Sequence, residues 1–377
     1  MRLGQKLKAT GRVERADTAE ALERFHPRGR GAISNQTGRY EPETRHAYDD
    51  GWDTIEEDAA RLDKTLTAEK AKTIITFNKS PDIHFDRSIN PYRGCEHGCV
   101  YCFARPTHAY QGLSAGLDFE SRLFHKPNAP ELLRQELSKP GYRPRPIALG
   151  VNTDAFQPIE RELGLTRQLL QILSDHNHPV SLLTKSALIQ RDIDLIAPMA
   201  AKGLCRVGVS VTTLEPKLAR AMEPRAAAPR KRIETIRALS DAGIPVIVMN
   251  APLIPALNDT EIEAVLEAAS EAGASAAGFV MLRLPFELKD LFHEWLAQHY
   301  PDRAARVINL LREMRGGKDY DARWFERGRG NGPYAALIAK RFTKARERFG
   351  LNAERPPLRT DLFRPKESPG GQMRLEL

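Results

Sequence analysis

The sequence lacks the features that mark a secreted or membrane-spanning chain. Its first eight residues hold no apolar run of the kind found in a secretory signal. The most apolar stretch, residues 243–257, contains three prolines and is too short to cross a bilayer. Only four cysteines occur, and three of them fall within eight residues. The chain is therefore expected to be soluble and cytoplasmic, where disulfides are rare and clustered thiols bind metal or do chemistry.

The net charge of +8 is concentrated at the end of the chain. Residues 81–300 carry 24 basic and 25 acidic side chains, whereas residues 301–377 carry 18 basic and 10 acidic ones. A basic patch can attract the phosphate backbone of a nucleic acid. The same surplus also occurs on an ordinary solvated helical face. Nucleic acid is thus one candidate partner, and no membrane partner is expected.

From about residue 83, short apolar runs alternate with amphipathic helical patterns, which is typical of a parallel α/β sheet. The predicted strands cover residues 83–89, 147–151, 180–184, 204–212, 245–250 and 276–282. The predicted helices lie near residues 103–113, 161–175, 189–201, 229–242, 259–272 and 287–299. Six such units predict a partial (β/α)6 TIM-type barrel. A closed eight-stranded barrel or a doubly wound sheet would give a similar pattern.

The barrel is predicted to be the middle one of three segments. Residues 1–80 are expected to form an irregular N-terminal extension, with a helix near 54–64. Residues 81–300 form the core barrel. Residues 301–377 are predicted to be a basic helical segment, interrupted at 328–333 and ending in a tail rich in proline, glycine and charge.

Polar residues follow the predicted strands at their carboxyl ends, where active-site groups gather in a parallel barrel. Loop starts are commonly polar as well, but this set fits a mouth filled by ligand. The residues are Asn152, Thr153, Asp154, Thr184, Lys185, Ser186, Ser210, Thr212, Thr213, Asn250 and Arg283.

The clustered cysteines, Cys95, Cys99 and Cys102, have the spacing C-x3-C-x2-C directly after the first barrel strand. Three thiolates on one tight loop can hold three irons of a [4Fe–4S] cluster and leave the fourth iron open for another ligand. A zinc site completed by His97 or His108 is the alternative. It fits less well, because no second pair of cysteines is present.

The aromatic Tyr101, just before the third cysteine, sharpens this interpretation. The pattern C-x3-C-x-aromatic-C after strand one of a βα barrel resembles the signature of the radical S-adenosylmethionine (SAM) superfamily, over about residues 83–300. The resemblance implies that the open iron binds SAM, that Tyr101 lies beside the adenine, and that one-electron reduction cleaves SAM to a 5′-deoxyadenosyl radical. It also implies an electron donor such as a flavodoxin or ferredoxin.

Within the superfamily, four further segments resemble the spore photoproduct lyase-like branch, often labelled DNA repair photolyase-like. They are residues 183–185, 207–210, 222–225 with 232–236, and 248–255 with 258–259. The resemblance implies that Lys185 and Ser210 bind the SAM carboxylate, which suits an ammonium and a hydroxyl.

The chain departs from spore photoproduct lyase at two hydrogen-donor positions. Asn152 stands where that enzyme has a cysteine, and Phe103 stands where it has a tyrosine. An amide and a phenyl ring cannot donate a hydrogen atom as a thiol or a phenol can. The sequence therefore predicts a radical SAM enzyme of unidentified substrate that does not repair spore photoproduct. Cys205 is expected to be a buried core thiol. The alternative function is a zinc-binding, nucleic-acid-associated protein without radical chemistry.

Overall fold

The computed structural model describes residues 29–41 and 64–365. Its strands are β1 (Thr65–Ala68), β2 (Ile75–Phe77), β3 (Arg87–Ile89), β4 (Tyr92–Arg93), β5 (Arg122–His125), β6 (Ile147–Leu149), β7 (Val180–Thr184), β8 (Cys205–Ser210), β9 (Val246–Leu253) and β10 (Ala276–Met281). Its α-helices are α1 (Asp118–Ser121), α2 (Ala129–Leu137), α3 (Glu160–Leu163), α4 (Leu165–Asp175), α5 (Ile193–Ala201), α6 (Pro216–Met222), α7 (Pro229–Asp241), α8 (Ile262–Glu271), α9 (Leu288–His299), α10 (Pro301–Glu313) and α11 (Gly332–Arg348). Single 3-10 helices span Arg105–Gln111, Ala187–Asp192 and Asp259–Glu261.

The main sheet has the strand order β10-β9-β8-β7-β6-β3-β2. The six strands from β3 to β10 pair in parallel, and β2 adds antiparallel to the edge strand β3. Helices connect the parallel strands and cover the sheet. Within the described residues β10 does not pair with β2 or β3, so the sheet stays open. The predicted six-stranded partial barrel is confirmed.

Burial explains why the central segments form these elements. All three residues of β6 are buried, as expected of a parallel strand covered on both faces. Helix α4 buries Leu165, Leu169, Ile172 and Leu173, whose spacing places them on one face. Leu169, Ile172 and Leu173 belong to the main apolar core, whereas Leu165 packs in a smaller separate cluster. None of the described helices combines the length and apolarity that a membrane crossing needs.

Two strand boundaries differ from the prediction for local reasons. Strand β6 ends at Leu149 rather than at residue 151, because Gly150 has a φ of 85° and a Cβ there would lie 2.3 Å from the carbonyl oxygen of Leu183. Strand β3 begins only at Arg87 rather than at residue 83. The preceding segment turns, and its Asp82 carboxylate binds Arg327 at 2.6 Å.

Part of the N-terminal extension is regular, which corrects the expectation of an irregular segment. Strand β2 joins the main sheet, and β1 pairs with β5 in a second sheet of order β1-β5-β4. Residues 29–41 contain no helix or strand. Most of the helix predicted near residues 54–64 lies outside the described residues. The three segment boundaries themselves stay a prediction.

The C-terminal segment is helical, as predicted, but its interruption is longer. Helices α10 and α11 are separated by residues 314–331 rather than by 328–333 alone. Gly316, Gly317 and Gly330 have positive φ angles there, so the chain turns repeatedly instead of continuing a helix.

Candidate active site

The three clustered cysteines lie in one loop at the mouth of the barrel. This cysteine loop, residues 94–103, follows β3 and β4 and leads into the 3-10 helix Arg105–Gln111. Cys95 and Cys99 are buried, Cys102 is partly buried, and all three are free thiols. Burial raises the pKa of the Cys95 and Cys99 thiols above the ordinary value.

Main-chain hydrogen bonds fold the cysteine loop into two successive turns. The amide of Gly98 donates to the carbonyl of Cys95 at 3.3 Å, and the amide of Cys102 donates to that of Cys99 at 3.2 Å. Gly98 has a φ of 65°, and a Cβ there would lie 2.6 Å from a carboxylate oxygen of Glu120. Glycine is therefore required at this turn. The thiols of Cys99 and Cys102 are near enough to act electrostatically on Cys95.

A fully buried ion pair supports the loop. Arg105 donates to the carbonyls of Gly98 and Cys99 at 2.9 and 2.8 Å. It also donates to the Glu120 carboxylate at 2.5 Å. That carboxylate accepts the amides of residues 31–32 at 3.0 and 2.8 Å, so the N-terminal extension packs onto the loop. Removing either charge would leave the other buried and uncompensated, so the ion pair is expected to hold the cysteine loop in place.

Asp154, which follows β6, ties the ends of two strands to the cysteine loop. Its carboxylate accepts the hydroxyl of Thr184 and the amide of Lys185, both at 2.8 Å. The Nδ1 atom of His97 lies 3.4 Å from the same carboxylate. Burial lowers the pKa of His97 to about 4, so its imidazole is neutral at pH 7.

Glu223 connects the cysteine loop to the end of β8. Its buried carboxylate accepts the Tyr101 hydroxyl, the Thr212 hydroxyl at 2.6 Å and the Arg232 guanidinium. All four side chains are buried. Main-chain bonding adds to this link, because the amide of residue 100 donates to the carbonyl of Met222 at 3.0 Å.

Arg232 extends this network to two of the predicted SAM contacts. It donates to the carbonyl of Ser210 at 3.1 Å and to that of Ala227 at 2.7 Å. The amide of Ala227 donates in turn to the carbonyl of Lys185 at 3.3 Å. The Glu223–Arg232 pair therefore bonds to the segments that carry Tyr101, Lys185 and Ser210.

The side chains of these three residues differ in their availability. The Lys185 ammonium lies 5.7 Å from the centroid of the Tyr101 ring. No carboxylate among the described residues pairs with that ammonium, so its donors are available to a ligand. The Ser210 hydroxyl is buried and donates to the carbonyl of Ala251 at 3.2 Å. It would have to turn to donate to a ligand.

The family comparison fits this geometry. The sequence model of the radical SAM superfamily matches residues 89–269. An uncharacterised protein of Mycobacterium tuberculosis is 36% identical over 240 residues, which cover 62% of this chain and 71% of that protein. An uncharacterised protein of Methanocaldococcus jannaschii is 30% identical over 240 residues, covering 64% of this chain and 85% of that protein.

The chain belongs to the radical SAM superfamily. Membership makes it an enzyme, and the superfamily uses a [4Fe–4S] cluster, SAM and an external reductant.

Solved structures agree on the fold. A substituted form of spore photoproduct lyase has a TM-score of 0.54 at 15% identity, covering 76% of this chain and 80% of that one. The lyase complexed with dinucleoside spore photoproduct has a TM-score of 0.51 at 15% identity, covering 75% and 79%. At this identity the likeness shows a shared fold and leaves the substrate to be argued from the site.

The donor set fits the cluster of a radical SAM enzyme. In the part of the chain that the structure describes, no three Cys, His, Asp or Glu side chains stand close enough to hold one metal ion. A tetrahedral zinc needs its sulfurs about 3.8 Å apart, because each Zn–S bond is about 2.3 Å. In a cubane each thiolate takes a different iron. Three free thiols on a single loop that do not converge on one point with a fourth ligand fit the cubane better.

Asn152 and Phe103, the two residues at which the sequence departs from the hydrogen donors of spore photoproduct lyase, both lie at the mouth. Asn152 follows β6, and its main-chain N–H donates to the side-chain oxygen of Asn90 at 3.3 Å. Phe103 is exposed and follows Cys102 directly. Cys205 is buried at the amino end of β8, whereas Ser210 ends that strand. Five residues of strand separate the two by about 16 Å, so Cys205 is a core thiol remote from the mouth.

Sequence reasoning did not single out the Glu223–Arg232 pair. Both residues stood in segments quoted only for their resemblance, and their pairing depends on how α6 and α7 pack. A weak signal existed, because Glu223 directly follows the apolar end of α6 and lies next to a proline. Arg283 is one of the polar strand ends in the sequence, which indicates no partner for it.

Proposed function

We propose that the chain cleaves SAM reductively, with Cys95, Cys99 and Cys102 holding a [4Fe–4S] cluster. One observation carries the proposal: three free thiols share a turn-rich loop at the carboxyl end of the first parallel strand, beside Tyr101 and Lys185. When bound, the cluster supplies the electron that breaks the S–C5′ bond of SAM and releases a 5′-deoxyadenosyl radical.

The chain's own residues bind and orient SAM. The Lys185 ammonium donates a charge-assisted hydrogen bond to the SAM carboxylate. The Ser210 hydroxyl turns from the carbonyl of Ala251 to assist it. The Tyr101 ring flanks the adenine, and its hydroxyl is held by Glu223. Because Glu223 binds only the hydroxyl, the ring face of Tyr101 is available to the ligand.

An external protein donor, such as a flavodoxin or ferredoxin, supplies the electron. The cysteine loop uses three of the four thiols, and the remaining Cys205 lies at the far end of β8. The chain therefore has no thiols for a second cluster that could relay electrons.

The substrate differs from spore photoproduct. With Asn152 and Phe103 at the donor positions, a substrate radical would lack a thiol or phenol to quench it. We expect no restored thymine dinucleotide when the protein is incubated anaerobically with dinucleoside spore photoproduct, dithionite and SAM. Chromatography of the products would decide this, and repair would point to another donor in the chain.

Formation of 5′-deoxyadenosine tests the proposed chemistry. The anaerobically purified chain, given dithionite and SAM, should release 5′-deoxyadenosine that chromatography detects. Cys99→Ala should abolish release, since one iron loses its thiolate. Cys205→Ala is the matched control, because it removes a buried thiol outside the loop, and it should retain release. Equal release by wild type and Cys99→Ala would contradict the proposal.

A further inference from the structure

Arg283 reaches from the end of the last strand to the cysteine loop. It follows β10 by two residues, and its guanidinium carbon lies 5.2 Å from the ring centroid of Phe103. Phe103 is the residue after Cys102, so Arg283 lies against the cysteine loop. A guanidinium over an aromatic face gains a modest cation–π attraction. That attraction orients the side chain but leaves its hydrogen-bond donors free.

Arg283 has no counter-charge among the described residues. No carboxylate there forms an ion pair with it, and its Nε atom is buried without an acceptor. A buried donor without a partner is destabilising, because it has lost its hydrogen bonds to water. Such groups are uncommon in folded proteins and call for an explanation.

A second unpaired guanidinium lies next to Arg283. Arg315 is buried and donates only to neutral carbonyls: Glu326 at 2.6 Å, Leu282 at 3.0 Å and Arg327 at 3.0 Å. Its Nε atom is also buried without an acceptor. Burial lowers the pKa of Arg315 and the charge of Arg283 adds to this effect, whereas Tyr320, Asp321 and Glu326 act in the opposite direction. Asp321 and Glu326 both form ion pairs with Arg323. Two neighbouring cations without a bound carboxylate create a positive potential that an anion would relieve.

A groove of about 420 Å³ is lined by residues that neighbour the two arginines in the chain, although neither arginine lines it, and it gives room for a larger molecule. It begins at Leu284, the neighbour of Arg283 in the chain, and Lys289 and Lys318 lie along it. The one acid in its lining, Asp319, already pairs with Arg312 at 2.6 Å. Lys289 and Lys318 therefore give the groove a positive character.

We propose that Arg283, with Arg315 behind it, binds a phosphate group of the substrate at the mouth. The proposal rests on the proposed function, because that function puts radical chemistry beside Phe103. A phosphate group presents at least two charged oxygens, which an arginine fork can bind through two parallel hydrogen bonds. Its source is either a phosphorylated small molecule or a nucleic-acid strand.

Titration of the full-length, anaerobically purified protein with inorganic phosphate tests the site. Calorimetry should detect binding to the wild type. Arg283→Met should weaken it at least about tenfold, as expected when a charge-assisted hydrogen bond is lost. Arg359→Met is the matched control, because Arg359 is an exposed arginine paired with Asp361. It should leave phosphate affinity unchanged.

A second titration, with a fluorescent oligothymidylate that lacks terminal phosphates, distinguishes the sources. Binding that Arg283→Met removes assigns the phosphate to a strand, and its absence assigns it to a small molecule. Failure of the wild type to bind inorganic phosphate, or equal binding by Arg283→Met, would overturn the proposal. Loss of SAM affinity in Arg283→Met would also overturn it and make Arg283 a SAM ligand. Because phosphate binding needs no SAM cleavage, its outcome is independent of 5′-deoxyadenosine formation.

Discussion

On the side of the mouth where β8 ends, the buried charges are matched. Glu223 pairs with Arg232, and both use their remaining hydrogen-bonding capacity on neighbouring hydroxyls and carbonyls. On the side where β10 ends, Arg283 and Arg315 have no carboxylate partner among the described residues, and each keeps a buried Nε without an acceptor. Matched charges hold a fixed geometry, whereas unmatched ones attract a counter-ion. We expect the first side to position the cofactor and the second to receive the substrate.

Paired charges also predominate on the surface of the basic C-terminal segment, residues 301–377. Most of its arginines with resolved contacts bind carboxylates: Arg312, Arg323, Arg327, Arg341 and Arg359. Two of the partners, Asp82 and Glu263, lie outside the segment and match two of its eight surplus charges, whereas the other partners are acids of the segment itself. Pairing, rather than the number of basic residues, separates the candidate binding site from the rest. A nucleic-acid partner stays a prediction.

Removing one charge of the Glu223–Arg232 pair, on the matched side, should have the largest effect on stability. Glu223→Ala leaves the Arg232 guanidinium buried without its counter-charge, which should lower the free energy of unfolding by about 3–5 kcal/mol. Urea unfolding followed by circular dichroism would measure this. The matched control is Glu234→Ala, an exposed glutamate on α7 with surface partners only, which should change stability by no more than about 0.5 kcal/mol. Equal effects of the two substitutions would remove the special role of the network.

Lys185→Ala, on the same side of the mouth, should weaken SAM binding with little effect on stability. Its ammonium has no carboxylate partner among the described residues, so folding should be little affected. SAM affinity should fall by about 1–3 kcal/mol, the contribution of a charge-assisted hydrogen bond. Anaerobic calorimetry would measure the affinity, with Lys202→Ala, an exposed lysine away from the mouth, as control. Unchanged affinity would exclude Lys185 from the SAM site.

Tyr101→Phe should have a smaller effect and distinguish the ring from its hydroxyl. The substitution removes one donor to Glu223, which still accepts from Thr212 and Arg232. We expect a loss of about 0.5–1.5 kcal/mol in stability. SAM affinity should stay close to that of the wild type, because the ring is retained. A large loss of SAM affinity would mean that the hydroxyl itself contacts the ligand.

The smallest change in stability is expected on the unmatched side. Arg283→Met removes a cation without an ion-pair partner and keeps an aliphatic stem against Phe103. The free energy of unfolding should therefore fall by no more than about 0.5 kcal/mol, because the substitution also removes a buried donor that has no acceptor. Thermal and urea unfolding would measure this. A loss as large as that of Glu223→Ala would show that Arg283 belongs to a structural network after all.

The sequence predicted the elements whose pattern is local. Strand β7 has the predicted bounds, and α7 differs from its predicted range by a single residue. The cysteine loop could be found because its residues are consecutive. The strand-end rule brought Lys185, Ser210 and Arg283 to the same mouth, since carboxyl ends of parallel strands share one edge.

What the sequence could not predict depends on tertiary packing. The bond from Arg315 to the carbonyl of Leu282 joins residues far apart in the chain, and no periodic pattern marks it. The burial of Glu120 with Arg105 likewise requires that residues 31–32 pack against the loop. Strand β2 has only three residues and becomes recognisable only by its pairing with β3.

Metal content tests the central assignment most directly. The anaerobically reconstituted wild type should be brown and hold about four irons per chain. Cys205→Ala should match it, whereas Cys95→Ala, Cys99→Ala and Cys102→Ala should each lose the iron–sulfur absorption. A colourless wild-type protein that holds one zinc would contradict the account, and so would cluster loss confined to Cys205→Ala.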